Sequence, residues 1–478
     1  MPITQACRIC NEQIDLEDLD SEYICTYCRE DYHGSEVEAS SPEMTPTPEQ
    51  ASALAGMIKF IEDFDGQVPD TITGIIERFF CLKGYAGTGK SYSITLLAKD
   101  KLSDDRPRFK PGQICFTAPT NKAVKVLRNY LDGAGLQASP SKTIYSLLGL
   151  SLQANGEVKE LAKPEEPVDL SGFKVIIVDE ASMVNRFLMD AIREASENWN
   201  VPFIFMGDPA QLPPVGEITS PVWKVDRGAE LTTVMRYGNS MLDLATSIRK
   251  IVDSPFPSIK IDTAAPVYRW GKADWLSQIE VNLELFRSGD AKIIAWRNVT
   301  VDAHNAFIRK LIFGIEAKRN IWLPDDQIVA RAPLKDLEGF TFMQNAEEAR
   351  IIEVAIGSHP LYREFEIFNL LVEHETGKKY TIRTLTPTGS FHVSNRLNEL
   401  SMEAKGGKRY KWKEFWELKE AFHEVRHAYA WTSHMSQGSS ILKGFVDLED
   451  IMLNRNRAEA FRSLYVACTR QREELHVA

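Results

Sequence analysis

The sequence predicts an α/β chain built on parallel sheets, and three observations predict it. Short runs such as Val175 to Val178 and Phe203 to Met206 are apolar at every position, as strands buried on both faces are. Segments of helical spacing, among them Lys122 to Leu131 and Asn185 to Ala195, alternate with these runs. A glycine-rich loop, Gly84-Tyr85-Ala86-Gly87-Thr88-Gly89-Lys90-Ser91, follows the apolar run Phe79 to Leu82 and precedes the helical stretch Tyr92 to Asp100. That order of strand, loop and helix is the setting of a phosphate-binding P-loop.

The chain has 478 residues, more than one ordinary core accommodates, and its length predicts about three domains. Its formal charge of −11, from 56 basic and 67 acidic side chains, argues against indiscriminate coating of nucleic acid by a global basic field. Any nucleic-acid contact is therefore expected to be local, since salt screens beyond about 8 Å. No apolar run reaches membrane-spanning length and no signal-peptide pattern opens the chain, so a cytoplasmic monomer without membrane contact is expected.

From the N-terminus, Cys7, Cys10, Cys25 and Cys28 form two CxxC pairs, which fit tetrahedral Zn²⁺ and predict a small zinc ribbon over residues 1–34. A redox pair or unliganded thiols are the alternatives, and His33 is either a substitute ligand or a surface residue. Residues 35–48, with Pro42, Pro46 and Pro48, read as a linker. The ribbon is then a tethered docking module, with a replication or recombination protein as its expected partner. Ala53, Met57, Phe60, Ile61 and Phe64 lie at helical spacing ahead of the P-loop strand.

In the P-loop, glycines let backbone N–H groups face phosphate oxygens, Lys90 reaches the β and γ phosphates, and Ser91 can ligate Mg²⁺. The apolar strand Val175 to Val178 ends in Asp179 and Glu180; Asp179 can hold Mg²⁺ and Glu180 can polarise an attacking water. Gly207 to Gly216, with three prolines, is a rigid loop at the carboxyl edge of the sheet, with Gln211 placed to sense the γ phosphate. Arg236 and Arg470 are candidates for stabilising phosphoryl-transfer charge from across a cleft. Each arginine taken alone reads equally as a surface or salt-bridge residue.

A hairpin is predicted over 150–168, with Asn155-Gly156 as its two-residue turn and no aromatic residue at its tip. Residues 325–425 change to short strand-like stretches, Ala349 to Ile356, Ile367 to Glu373 and Lys379 to Leu385. Within them, Lys405 to Phe422 interleaves cations with Tyr410, Trp412, Phe415 and Trp416, which suits either base stacking or an amphipathic helix with core aromatics.

The ordered set of the P-loop, APTNKAVKVL (118–127), TIYSLLG (143–149), VIIVDEAS (175–182), GDPAQLPPVG (207–216), VMRYGN (234–239), WTSHMSQG (431–438) and LYVACTR (464–470) resembles the superfamily 1 class B helicases, in their RecD-like group and its phage members. The likeness runs from about residue 45 to the C-terminus. It implies two RecA-like P-loop NTPase domains, 49–228 and 229–324 with 426–478, an SH3-like β domain with a helical projection inserted at 325–425, and a strand-separating pin at 150–168. It further implies ATP between the RecA-like domains and 5′ to 3′ unwinding of DNA, acting on single strands and single-strand/duplex junctions.

By the same resemblance Gln50 reads adenine, Thr120, Asn121, Lys122 and Thr143 contact DNA from the first domain, and Thr432, Ser433 and His434 from the second. Gln437 and Gly438 link DNA to nucleotide, with Gly84, Gly87, Thr88 and Gly89 completing the phosphate cradle. Tyr145 and Met435 stand where the family commonly has His and Lys. A DNA-stimulated ATPase that translocates or switches without unwinding, an adaptor recruiting through the ribbon, and a small-molecule kinase are the competing readings.

Overall fold

The computed structural model describes residues 4–6, 13–15, 45–67, 76–102, 109–110, 112–233, 240–252, 254, 261 and 264–478. The predicted zinc ligands Cys7, Cys10, Cys25 and Cys28, together with His33 and Arg236, lie outside the described residues. Two compact units result, Met1–Pro48 and Glu49–Ala478. Of the first, an antiparallel pair is described, β1 (Thr4–Ala6) with β2 (Gln13–Asp15).

The larger unit opens with the helix Pro48–Asp65, whose buried stripe Ala53, Met57, Phe60, Ile61 and Phe64 is the one its spacing predicts. There follow β3 (Phe79–Gly84), β4 (Ile114–Ala118), β5 (Ser141–Thr143), the hairpin strands β6 (Ser151–Asn155) and β7 (Val158–Ala162), β8 (Val175–Val178), β9 (Phe203–Gly207) and β10 (Gly228–Leu231). Outside the hairpin these strands form one parallel sheet in the order β10-β3-β9-β8-β4-β5. Helices cover both faces, so β8 is buried at all four positions. Truncating Ile177 to Ala there would cost about 2–5 kcal/mol.

A second parallel sheet has the order β11-β22-β21-β12-β20, from β11 (Val267–Arg269), β12 (Ala291–Ala295), β20 (Ala430–Thr432), β21 (Ile441–Val446) and β22 (Gln471–Val477). Between β12 and β20 the chain builds an antiparallel sheet in the order β18-β17-β16-β13-β19, and a separate hairpin of β14 (Leu334–Lys335) and β15 (Thr341–Met343). The five strands are β13 (Gln327–Ala330), β16 (Glu348–Ser358), β17 (Glu366–His374), β18 (Lys379–Leu385) and β19 (Val425–His427). Two helices, Pro387–Lys405 and Lys411–Glu420, project between β18 and β19.

Two details differ from expectation. The β6–β7 hairpin closes with Asn155 opposite Val158, so its turn residues are Gly156 and Glu157. Gly156 has φ +63° and Glu157 is not among the positive-φ residues, as a turn with glycine at its first central position requires. In the projection, Phe415 and Phe422 are buried against Phe365, Ile367 and Leu400, with Trp412 and Trp416 packed on the same cluster. These aromatics are core, the second of the two readings of Lys405 to Phe422.

The projection also grips the hairpin. Trp416 Nε1 donates to the Gly156 carbonyl at 2.9 Å, and Glu157 accepts from Lys405 Nζ at 2.7 Å and from the Ser401 hydroxyl. Lys159 pairs with Glu420 and lies 5.0 Å from the Trp416 ring centroid.

Candidate nucleotide cleft and strand-contact loops

β3 ends at Gly84, and beyond it Gly87 and Gly89 turn the chain into the P-loop at φ +82° and +83°, which side-chain-bearing residues rarely adopt. A Cβ at Gly84 would sit 2.7 Å from Thr88 Oγ1, and one at Gly89 would collide with the Gln50 amide. Gln50, 4 % exposed, donates from Nε2 to the Thr88 carbonyl at 3.1 Å, so the predicted adenine reader does touch the loop. The Lys90 ammonium donates to the Gly84 and Tyr85 carbonyls at 2.6 and 3.0 Å, and a phosphate must compete with these bonds.

Asp179 and Glu180 leave β8 on the same edge of the sheet. Asp179 is held by its backbone N–H on Thr117 O at 2.8 Å, and its Oδ1 accepts from the Glu180 N–H at 2.7 Å. Glu180 takes a left-handed conformation, φ +49° and ψ +44°, which for a non-glycine residue costs about 1–3 kcal/mol. Burial, then the neighbouring Glu180, raises the Asp179 carboxyl above its ordinary range, with Lys90 acting in the opposite direction. Two adjacent carboxylates and the Ser91 hydroxyl are hard oxygen donors, and a buried carboxylate disfavoured as a lone anion fits a divalent cation such as Mg²⁺.

Asp208 was not among the expected site residues, and it is the hub of the cleft. Its side chain is wholly buried; Oδ1 accepts from Ala210 N at 2.9 Å, and Oδ2 from the P-loop Ala86 N at 3.0 Å and the Tyr465 hydroxyl at 2.6 Å. Tyr465 comes from the helix Arg457–Ala467, packed on the second parallel sheet. One turn earlier, Arg462 donates to the Pro209 carbonyl and, at 3.1 Å, to that of Gln211.

Arg249, from the helix Ser240–Ile251, lies 3.7 Å from the Tyr85 ring centroid. Tyr465 and Arg249 thus bring the second sheet's helices onto the P-loop. Gln211 is buried and its Oε1 has no protein partner among the described residues. Arg470, at the end of the Tyr465 helix, donates to Val466 O at 3.1 Å and Thr469 Oγ1 at 2.9 Å. Among the described residues its guanidinium makes no hydrogen bond to the P-loop.

The strand-contact candidates divide between capping and clamping. Thr120 and Thr143 are N-caps, accepting from Ala123 N and Ser146 N. Asn121 donates to Gln344 Oε1 at 3.3 Å, and Lys122 Nζ lies 4.1 Å from the Trp431 centroid; burial lowers the Lys122 ammonium to about 8. Thr432 Oγ1 accepts from Met435 N at 3.2 Å, Ser433 is fully buried with Oγ donating to Ala295 O at 3.3 Å, and burial lowers His434.

Gln437 Nε2 reaches Leu212 O at 3.4 Å, and a Cβ on Gly438, φ +68°, would stand 3.4 Å from Ala123. The loop 432–438 is therefore wedged between the Gln211 loop and the helix Asn121–Gly133. Met435 packs against the apolar cluster of the second lobe, and Tyr145 against that of β8.

Residues 68–251 match the model of an AAA domain. The chain is 27 % identical over 436 residues to the ATP-dependent DNA helicase dda of Enterobacteria phage T4, covering 82 % of this chain and 93 % of that protein. It is 24 % identical over 482 residues to the uncharacterized protein R530 of Acanthamoeba polyphaga mimivirus, covering 83 % and 94 %. Among solved structures, Pif1 helicase from Bacteroides in complex with ADP-AlF3 and ssDNA is 16 % identical with a TM-score of 0.46, covering 91 % and 92 %. Pif1 helicase from Candida albicans is 16 % identical with a TM-score of 0.45, covering 91 % and 94 %.

Proposed function

We propose that this chain is an ATP-dependent DNA helicase that moves 5′ to 3′ on single-stranded DNA. The observation that carries the reading is the three-way bond at Asp208, which ties the P-loop of one parallel sheet to a helix of the other. Nucleotide chemistry at Lys90, Asp179 and Glu180 then alters how the two lobes meet. The loop 432–438, wedged against the helix that carries Asn121 and Lys122, converts that change into alternating grip on a strand. Polarity rests on the family resemblance of the sequence motifs alone.

In this mechanism Gln50 and the P-loop backbone bind and orient the nucleotide, and Lys90 exchanges its carbonyl partners for phosphate. Glu180 takes the proton of the attacking water. Mg²⁺ held by Ser91 and Asp179 would supply charge neutralisation on the phosphates. Gln211 senses the γ phosphate, and Arg470 and Arg236 are the candidates for stabilising developing charge once the cleft closes. The hairpin is the strand-separating pin, with Trp416 as its brace.

The inserted sheet is read as SH3-like and the lobes as RecA-like domains, with two expected boundaries shifted: the first lobe runs through Leu231, because β10 pairs with β3, and the insertion runs through His427, because β19 pairs with β13. The N-terminal cysteines are read as a structural zinc site, which zinc content before and after Cys25→Ser tests. DNA-stimulated ATP hydrolysis tests the function. Single-stranded DNA is expected to raise turnover and Lys90→Ala to abolish it; turnover indifferent to DNA would overturn the reading.

A further inference from the structure

We propose that a cleft between the inserted antiparallel sheet and its helical projection binds the phosphate backbone of single-stranded DNA, with Arg331 and Lys419 as its cationic contacts. The inference rests on the helicase reading and adds a contact surface to it. The cleft has a volume of about 540 Å³, and its lining includes Arg331, Lys419, Arg426, Thr384, Ser390 and Ser394.

Its chemistry is selective in several respects. Arg331 is exposed and its guanidinium has no carboxylate partner among the described residues. The Lys419 ammonium rests 4.7 Å from the Trp416 centroid and 5.7 Å from that of Phe415 and makes no ion pair among the described residues, with Glu157 of the hairpin as a nearby acid. Arg426 is committed elsewhere, to Asp302 and Asn298, and frames the wall. In a chain of net charge −11, Arg331 and Lys419 against the single acid Glu424, with Arg426 balanced by Asp302, leave this lining locally positive.

Ser390 and Ser394, one turn apart on the 19-residue helix Pro387–Lys405, add hydroxyl donors to the same lining. A groove lined by cations and hydroxyl donors suits the phosphate backbone of a single strand.

Position supports the assignment. Helix Lys411–Glu420 presents Trp416 and Glu420 to the hairpin, while Lys419 on the same helix lines the cleft. The same helix thus borders both the hairpin and the cleft.

The test is the salt dependence of binding to a fluorescent single-stranded oligonucleotide by the full chain. Each lost phosphate contact reduces the slope of log affinity against log salt by about 0.7. Arg331→Gln is expected to lower the slope by about 0.7, and Arg331→Gln with Lys419→Met by about 1.4. Glu424→Gln, which removes an acid from the same lining, should tighten binding at low salt. An unchanged slope in both cation variants, with the wild-type chain binding DNA, overturns the site and leaves the helicase reading intact. A wild-type chain that does not bind the oligonucleotide at all overturns the reading beneath it.

Discussion

Tyr465→Phe isolates the bond on which coupling between the lobes depends. Phenylalanine keeps the ring and its packing in a position 1 % exposed, and removes only the hydroxyl that donates to Asp208 Oδ2 at 2.6 Å and lies 3.2 Å from Ala86 N. Burial, then the nearby Asp208 charge, pushes the Tyr465 hydroxyl's ionisation well above its ordinary range, so it stays a donor throughout the neutral range. A hydrogen bond to a charged group contributes about 1.5–3 kcal/mol, and its loss shifts the balance between engaged and disengaged lobes roughly 10- to 150-fold.

Asp208 keeps its bonds from Ala86 N and Ala210 N, so the P-loop itself is held. Steady-state ATP turnover at saturating single-stranded DNA is the assay. kcat should fall on the order of tenfold or more while KM for ATP stays near the wild-type value. Wild-type kcat would refute the reasoning, and so would a fall in kcat accompanied by an equal rise in KM, which would mean that the hydroxyl only shapes the P-loop.

Three further outcomes follow from other contacts. Gly89→Ala forces a side chain into a φ of +83° and against the Gln50 amide, and should abolish nucleotide binding measured with a fluorescent ATP analogue. Trp416→Phe removes the indole N–H from the Gly156 carbonyl, a loss of about 1 kcal/mol, and should slow duplex unwinding while leaving DNA-stimulated ATP turnover unchanged.

His423 predicts acid sensitivity of the inserted sheet. Burial, partly offset by its bond to the Lys335 carbonyl, holds the imidazole down from 6.5 to about 4, so it remains neutral in the folded chain where the unfolded chain takes up a proton. The stability it contributes is present above pH 6.5 and is lost as pH falls toward 4, on the order of 3 kcal/mol in full. His423→Gln should flatten the fall in urea midpoint between pH 7 and pH 4.5.

What could be read from the sequence was what is local. The P-loop, the apolar β8 with its terminal carboxylates and the buried stripe of Pro48–Asp65 each lie within one contiguous segment, where spacing determines geometry. Asp208 and Tyr465 are 257 residues apart, and no periodicity pairs them. Arg249 on Tyr85 and Lys122 on Trp431 are hidden for the same reason. The hairpin lacks an aromatic of its own in sequence, yet Trp412 and Trp416 stand beside Gly156 from a helix some 260 residues onward. The basic and aromatic tract had two readings, and burial of Phe415 decides for packing, with Lys419 left facing a cleft.

The central claim, directional strand separation driven by ATP, is tested most directly by comparing partial duplexes bearing a 5′ or a 3′ single-stranded tail, with ATP and the full chain. The account predicts that the 5′-tailed duplex is opened and the 3′-tailed duplex is not. Opening of the 3′-tailed duplex alone, or of neither while ATP is consumed, would contradict it.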